Sequence, residues 1–235
     1  MLNSTLLIKV RQRLNKLASN DYDNILDWQI IEAFNKGQSD WVRRNLHGIN
    51  SLKEGDEESN RRITDFQNLL TDATLTLNSI AFGFESTGLP ANFMEHKRIT
   101  CDATPTDGCC PKKRLIVYLA EQENVDVLLK DENKKPSLTW GETFATYKNN
   151  KIQIYTNNEF IITNATLIYY RQPAKIEILN VNNPYTGTVS TADVICEFKD
   201  DIVEVLIDEC AKIIAGDIES LTQYEIQTKS VETNN

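Results

Sequence analysis

Leu6, Leu7, Val10, Leu14 and Leu17 recur at helical spacing near the start of the chain, with Lys9, Arg11, Arg13 and Lys16 on the remaining faces. Asn3 or Ser4 stands where such a helix wants its N-cap. The polar run over residues 19–24 reads as a connector. A second apolar stripe, made of Ile25, Trp28, Ile31, Phe34, Trp41 and Val42, predicts a helix over residues 25–46 that Gly48 ends. Trp28, Phe34 and Trp41 read as core on that spacing. A charged turn over residues 53–58 leads into a third predicted helix, over residues 57–70, carrying Ile63, Phe66, Leu69 and Leu70. Three amphipathic helices with short links predict an antiparallel bundle.

After Thr71 the period changes. Leu75, Leu77 and Ile80 fall at strand-like intervals, and Gly83, Gly88 and Pro90 punctuate the chain beyond them. Residues 115–119 read as a strand and 124–129 as a short helix. From 139 to 179 short strands and turns alternate: 143–148 and 151–155 joined by Asn149-Asn150, then a turn at Asn157-Asn158 into 160–163, then 165–170 and 175–179. Strands at that spacing predict an antiparallel sheet. Helix returns with Ile202, Val205, Leu206, Ile213, Ile214 and Ile218, and Asp200 and Asp201 suit the positive end of its dipole.

The fold expected is therefore α+β. An N-terminal antiparallel helical bundle spans 1–72 and an inserted antiparallel β subdomain spans 73–195. A long C-terminal helix over 196–221 packs back on the bundle, and an extended polar tail covers 222–235.

Composition and charge narrow the function. The 235 residues are 40% hydrophobic and 25% charged, ordinary for a folded soluble protein, and no apolar run approaches the length of a membrane span. The first thirteen residues place their basic side chains after the apolar patch, the wrong order for a secretory signal, so an unexported protein is expected. Net charge is −9, and residues 193–235 hold 11 Asp+Glu against 3 Lys+Arg, so nearly all of the excess lies at the C-terminal end. Such a surface does not grip nucleic-acid phosphates. Five cysteines, an odd number, are expected to be reduced thiols.

Raw material for catalysis is sparse. The chain has two histidines and lacks a G-x-S-x-G elbow, a phosphate-cradling glycine loop and an H-E-x-x-H helix. His47 reads as a helix C-terminal cation. Asp56-Glu57-Glu58 and Asp208-Glu209 read as solvated faces, and Arg61-Arg62 and Lys112-Lys113-Arg114 as surface decoration or subunit salt bridges. One cluster offers metal-ligand chemistry: His96, Cys101, Cys109 and Cys110 in HKRITCDATPTDGCCPKK. Its spacing departs from the paired C-x2-4-C arrangement that tetrahedral zinc favours. A turn-rich loop with reduced thiols is the first reading of it, and a small zinc-stabilised binding module is the alternative function. No enzyme and no cofactor are expected.

Four segments add a resemblance: IKVRQRLNKLASNDYDNILDWQIIEAFNKGQSDWVRRNLHG, PSLTWGETFATYKNNKIQIYTNNEF, LIYYRQPAKI and CEFKDDIVEVLIDECAKIIAGDIES with the polar tail behind it. Together they are similar to the ring or adaptor proteins of the head–tail connector in crAss-like bacteriophages, which are podovirus virion structural proteins. That resemblance implies a homo-oligomeric ring, a dodecamer, stacked under the portal protein and touching a neighbouring ring or tail-hub protein. The genomic DNA would pass through its channel without specific binding. The protein would assemble in the host bacterial cytoplasm and reside in the virion, away from membranes. A ring closes through two unlike patches on each subunit, and extended segments serve well because they can add to a neighbour's sheet or lie in its groove. The residues expected at subunit or partner contacts are Ile168, Tyr169, Tyr170 and Arg171 in a strand. In the tail they are Gln223, Tyr224, Glu225, Ile226, Gln227, Val231, Asn234 and Asn235.

Overall fold

The apolar stripes at the two ends of the chain bury each other. The computed structural model describes residues 1–15, 25–47, 66–106, 111–217 and 228–229. It divides into a helical unit, Met1–Asn68 with Pro173–Asn235, and a β unit, Leu69–Gln172. Among the described residues no helix is long and apolar enough to cross a membrane.

In the helical unit, α1 (Asn3–Asn15) and α2 (Asp27–His47) both pack against α4 (Asp200–Asp217). Leu6, Val10 and Leu14 of α1, Ile30, Phe34 and Val42 of α2, and Val203, Leu206, Ile207 and Cys210 of α4 are fully buried. Gly37 of α2 faces α4, where an added Cβ would make only ordinary contacts, 3.5 Å from the Glu209 Cβ and 3.7 Å from the Cys210 backbone nitrogen. Trp41 closes one end of this core between Phe66 and Phe198, each ring centroid 5.4 Å away.

Charge then fixes the alignment. The Met1 amino nitrogen sits 2.7 Å from Asp200, Lys9 pairs with Glu204, and Arg13 reaches Glu204 at 3.5 Å and Asp208 at 2.8 Å. Pairing that climbs both helices together means α1 and α4 run the same way. Arg44 of α2 pairs with Glu209 on another face of α4. The expectation of a solvated Asp208-Glu209 face is therefore corrected. Both side chains are buried, because an arginine from each flanking helix neutralises them.

The domain boundary also differs from the one expected at 195. Pro173–Asn235 belongs with the helices, because polar side chains of α1 and α2 satisfy its irregular backbone. Asn35 donates to Ile176 O at 3.2 Å and accepts from Ile176 N at 2.8 Å. Gln38 donates to Ala174 O at 2.9 Å, and Asn3 donates to Glu177 O and Val194 O at 2.8 and 3.1 Å. Asn3 is thus committed to a long-range tie rather than to capping its own helix. The strand expected at 175–179 is reduced to a single antiparallel bridge, Glu177 to Val194. Of the third predicted helix, residues 57–65 lie outside the described residues, Gln67–Leu69 is a 3-10 turn, and Leu70 already begins a strand.

The β unit holds eight strands: β1 (Leu70–Thr74), β2 (Leu77–Ile80), β3 (Gly83–Ser86), β4 (Phe93–Pro105), β5 (Lys113–Leu119), β6 (Glu142–Lys148), β7 (Lys151–Tyr155) and β8 (Phe160–Arg171). Their order in the sheet is β1-β8-β4-β5-β6-β7-β3-β2. Strands β1 and β2 are consecutive in sequence yet lie at opposite edges, joined only by Leu75 and Thr76. Eight flat strands would hold those edges about 34 Å apart, whereas a two-residue link spans about 10 Å. The sheet must curl, and it forms a half-barrel. Leu75, Ile99, Leu115, Ile152, Ile154, Phe160 and Leu167 fill its concave core.

The expectation of a wholly antiparallel sheet is corrected as well. Strands β5 and β6 pair in parallel, with Ile116 opposite Glu142 and Leu119 opposite Ala145. A parallel neighbour needs a crossover, and α3 (Val125–Lys130) supplies it. Val125, Leu128 and Leu129 then cover Phe144 and Tyr155, whose rings stack at 4.9 Å on the convex face. The Asn149-Asn150 hairpin turn is as expected, with φ of 51° and 59° as a type I′ turn requires. Asn157 and Asn158 turn in the same way, at 50° and 61°, but lead from β7 into β8, which do not pair with each other.

Candidate interaction surfaces

Strand β8 is internal. It pairs with β1 through Tyr170, Tyr169 and Ile168 on one side and with β4 on the other. From Ile168 to Tyr170 its backbone is paired on both sides and offers no edge to a neighbour's strand, while Arg171 pairs with Phe93 of β4 alone. Tyr169 is buried in the core and donates its hydroxyl to Asn92 at 2.8 Å. Ile168, Tyr170 and Arg171 are half-buried, and Lys97 lies over the Tyr170 ring with its nitrogen 6.0 Å from the centroid. The contact residues expected in the tail, Gln223, Tyr224, Glu225, Ile226, Gln227, Val231, Asn234 and Asn235, lie outside the described residues.

The edges of the sheet are β1 and β2. They carry one charged side chain between them, Asp72, in the run Leu70–Thr74 and Leu77–Ile80. Edge strands that are not meant to pair are usually blunted with charge, proline or bulges, and these are little blunted. On the helical unit, the segment leading to α4 exposes Leu179, Tyr185, Val189 and Ile195. Lys175 covers the Tyr185 ring at 3.5 Å. Grouped exposed apolar side chains of this kind mark contact surfaces more often than chance.

A concave site that the sequence reading passed over lies on the convex face of the β unit. Strand β5 alternates cleanly: Leu115 and Val117 point into the core, while Ile116 and Tyr118 are exposed. Beside them, the loop between α3 and β6 raises Trp140, which is 81% exposed. Together with Leu128 and Phe144 these elements line a groove of about 460 Å³. Its wall is held in place by its own backbone. Asn133 N donates to the Asp131 carboxylate at 2.9 Å, Lys134 N and Lys135 N donate to Asp131 O, and Trp140 N donates to the Ser137 hydroxyl at 3.3 Å. Gly141 follows with φ of 77°, a left-handed conformation that favours glycine. The Tyr118 hydroxyl donates to Glu142 at 3.3 Å, and the carboxylate beside it pushes the phenol pKa up. No signal in the sequence singles it out: Leu138 stands two residues before Trp140 in PSLTWGET, at strand spacing, so the local pattern does not mark Trp140 as exposed.

The basic run next to this groove is tied down within the chain. Lys113 donates to Thr139 O and Arg114 donates to the Thr100 hydroxyl at 3.1 Å.

Only two members of the cluster weighed as a metal site, His96 and Cys101, are among the described residues. Cys109 and Cys110 lie outside the described residues. Cys101 is 2% exposed inside the half-barrel, where burial pushes its thiol up to about 12. A zinc ligand must give up that proton, so its place in an apolar core counts against the role. Cys196 and Cys210 are likewise buried free thiols, raised by desolvation.

His96 packs its ring edge-on against Tyr147, centroids 6.0 Å apart, near Phe93. Burial lowers its pKa, with Glu95 opposing weakly. A base whose folded pKa lies below its unfolded one costs stability as it charges. The loss should begin near the unfolded value, about 6.5, and grow as pH falls through the depressed folded value. Melting temperature measured from pH 7 to 5 should fall for the wild type and stay flatter for His96→Gln. Parallel curves would remove His96 from the account. Glu85, held below its usual range by Lys151 and Gln153, titrates lower and does not overlap.

No protein-family model matches the chain, and no curated protein matches it.

Proposed function

We propose that the protein is a virion structural component: a ring, dodecameric by resemblance, in the head–tail connector of a crAss-like phage. It bridges portal to tail and does no chemistry. The observation that carries this reading is the resemblance itself, whose segments fall in both units, from α1 and α2 through β6, β7 and β8 to α4. The two unlike surfaces described above favour it too. A ring is built from a heterologous contact, and the sparsely charged sheet edge and the exposed Leu179, Tyr185, Val189 and Ile195 are two such different patches.

Electrostatics fits a channel wall or rim. The acidic excess after residue 193 disfavours phosphate binding and lets a duplex slide past. Within α4, however, Glu204, Asp208 and Glu209 are neutralised by α1 and α2, so part of that excess serves internal packing. The experiment that tests the reading is the solution mass of the purified protein, alone and mixed with portal protein.

A further inference from the structure

We propose that the groove beneath Trp140 is a saccharide-binding site, taking a neutral mono- or disaccharide whose C–H face stacks on the indole. The inference stands on the β unit alone and is independent of the connector reading.

Three observations select the ligand class. The indole is the most exposed large apolar side chain of the described residues, and it stands at a concave site rather than on a flat surface. An exposed aromatic face over a groove of about 460 Å³ suits a small ring with one apolar side, and pockets of this size hold small ligands. Second, the ionisable lining balances: Glu132 and Glu142 against Lys134 and Lys135, with Lys135 already 3.4 Å from Glu132. An anion would meet two carboxylates and a cation two ammonium groups, whereas a neutral ligand meets neither penalty. Third, the polar rim mixes donors and acceptors. Asn133 supplies both, Glu132 accepts and Lys134 donates. Vicinal hydroxyls, each a donor and an acceptor, match that set, and a purely apolar partner would leave it without hydrogen bonds.

The sheet argues against an extended peptide. Strand β5 is paired with β4 and β6, and β6 with β5 and β7, so no backbone edge opens into the groove. The rim turn is prearranged by its bonds to Asp131, which reduces the ordering cost of a weak ligand.

The test uses the full chain with maltose, lactose, cellobiose and diacetylchitobiose at millimolar concentrations, and thymidine as a neutral stacking control. Saturation-transfer NMR and tryptophan fluorescence are read together, with light scattering on the same samples. The expected result is transfer to the ring protons of at least one disaccharide with a change in tryptophan emission. Trp140→Ala should weaken that binding about tenfold or more, roughly 1.4 kcal/mol, and Trp140→Phe should retain part of it. Trp140 is exposed, so both variants should melt like the wild type. Failure of every disaccharide to bind would overturn the proposal, as would undiminished binding to Trp140→Ala or equal binding of thymidine. Self-association of the wild type that Trp140→Ala abolishes would also overturn it, making the groove a protein contact.

Discussion

Replacing Gly83 by alanine is expected to destabilise the β unit by about 3 kcal/mol or more, the upper range for forcing volume into a packed site. A Cβ at Gly83 would stand 2.1 Å from the Ile154 carbonyl oxygen and 2.9 Å from the Tyr155 Cα. Both are backbone atoms of β7, which pairs with Gly83 in register, so no side-chain rotation relieves the clash. Strand β3 would have to peel away from β7 and take β2, which pairs with β3, along. Gly88→Ala is the control: nothing lies within 4 Å of its added carbon, and its effect should stay within about 0.5 kcal/mol. Urea melts of the two variants decide the matter. Equal stability of Gly83→Ala and wild type would mean that the β3–β7 contact is misplaced.

The Arg44–Glu209 pair should respond asymmetrically to losing one partner or the other. Glu209 is 5% exposed and Arg44 30%. Arg44→Met strands a carboxylate in the packed seam, which costs about 3–5 kcal/mol for a buried pair broken from one side. Glu209→Met leaves an arginine that already reaches water, so about 1–2 kcal/mol is expected after discounting for its solvation. The double variant should recover most of the larger loss, because two apolar groups replace two charges. Chemical denaturation of the three variants measures all of this. Equal costs for the two single changes would contradict the burial assigned to Glu209.

These two cases also mark what a reader of the chain can and cannot foresee. Local chemistry was readable. The Asn149-Asn150 turn announces itself by the left-handed conformation that asparagine tolerates, and the stripes of α2 and α4 give their elements within a few residues. The burial of Asp208 and Glu209 was not, because their neutralising arginines stand 195 and 165 positions away. Pro173 and the residues after it read as more sheet because Ile176 and Ile178 alternate. Of the side chains that instead satisfy this segment, Asn35 and Gln38 look like ordinary helix-surface amides in sequence and Asn3 looks like an N-cap. The parallel pairing of β5 and β6 was within reach. A strand, a short helix and a strand in succession is the signature of a crossover, and the surrounding hairpin signals hid it. That β8 lies inside the sheet was not legible either, because an alternating strand looks the same at the centre of a sheet and at its edge.

The claim that the chain builds a closed ring is tested most directly by its mass in solution, measured by light scattering on the purified protein, alone and after mixing with portal protein. The account predicts either a species near twelve times the 26.8 kDa chain or a monomer that assembles to that mass only on portal. A protein that stays monomeric at every concentration and ignores portal would contradict it.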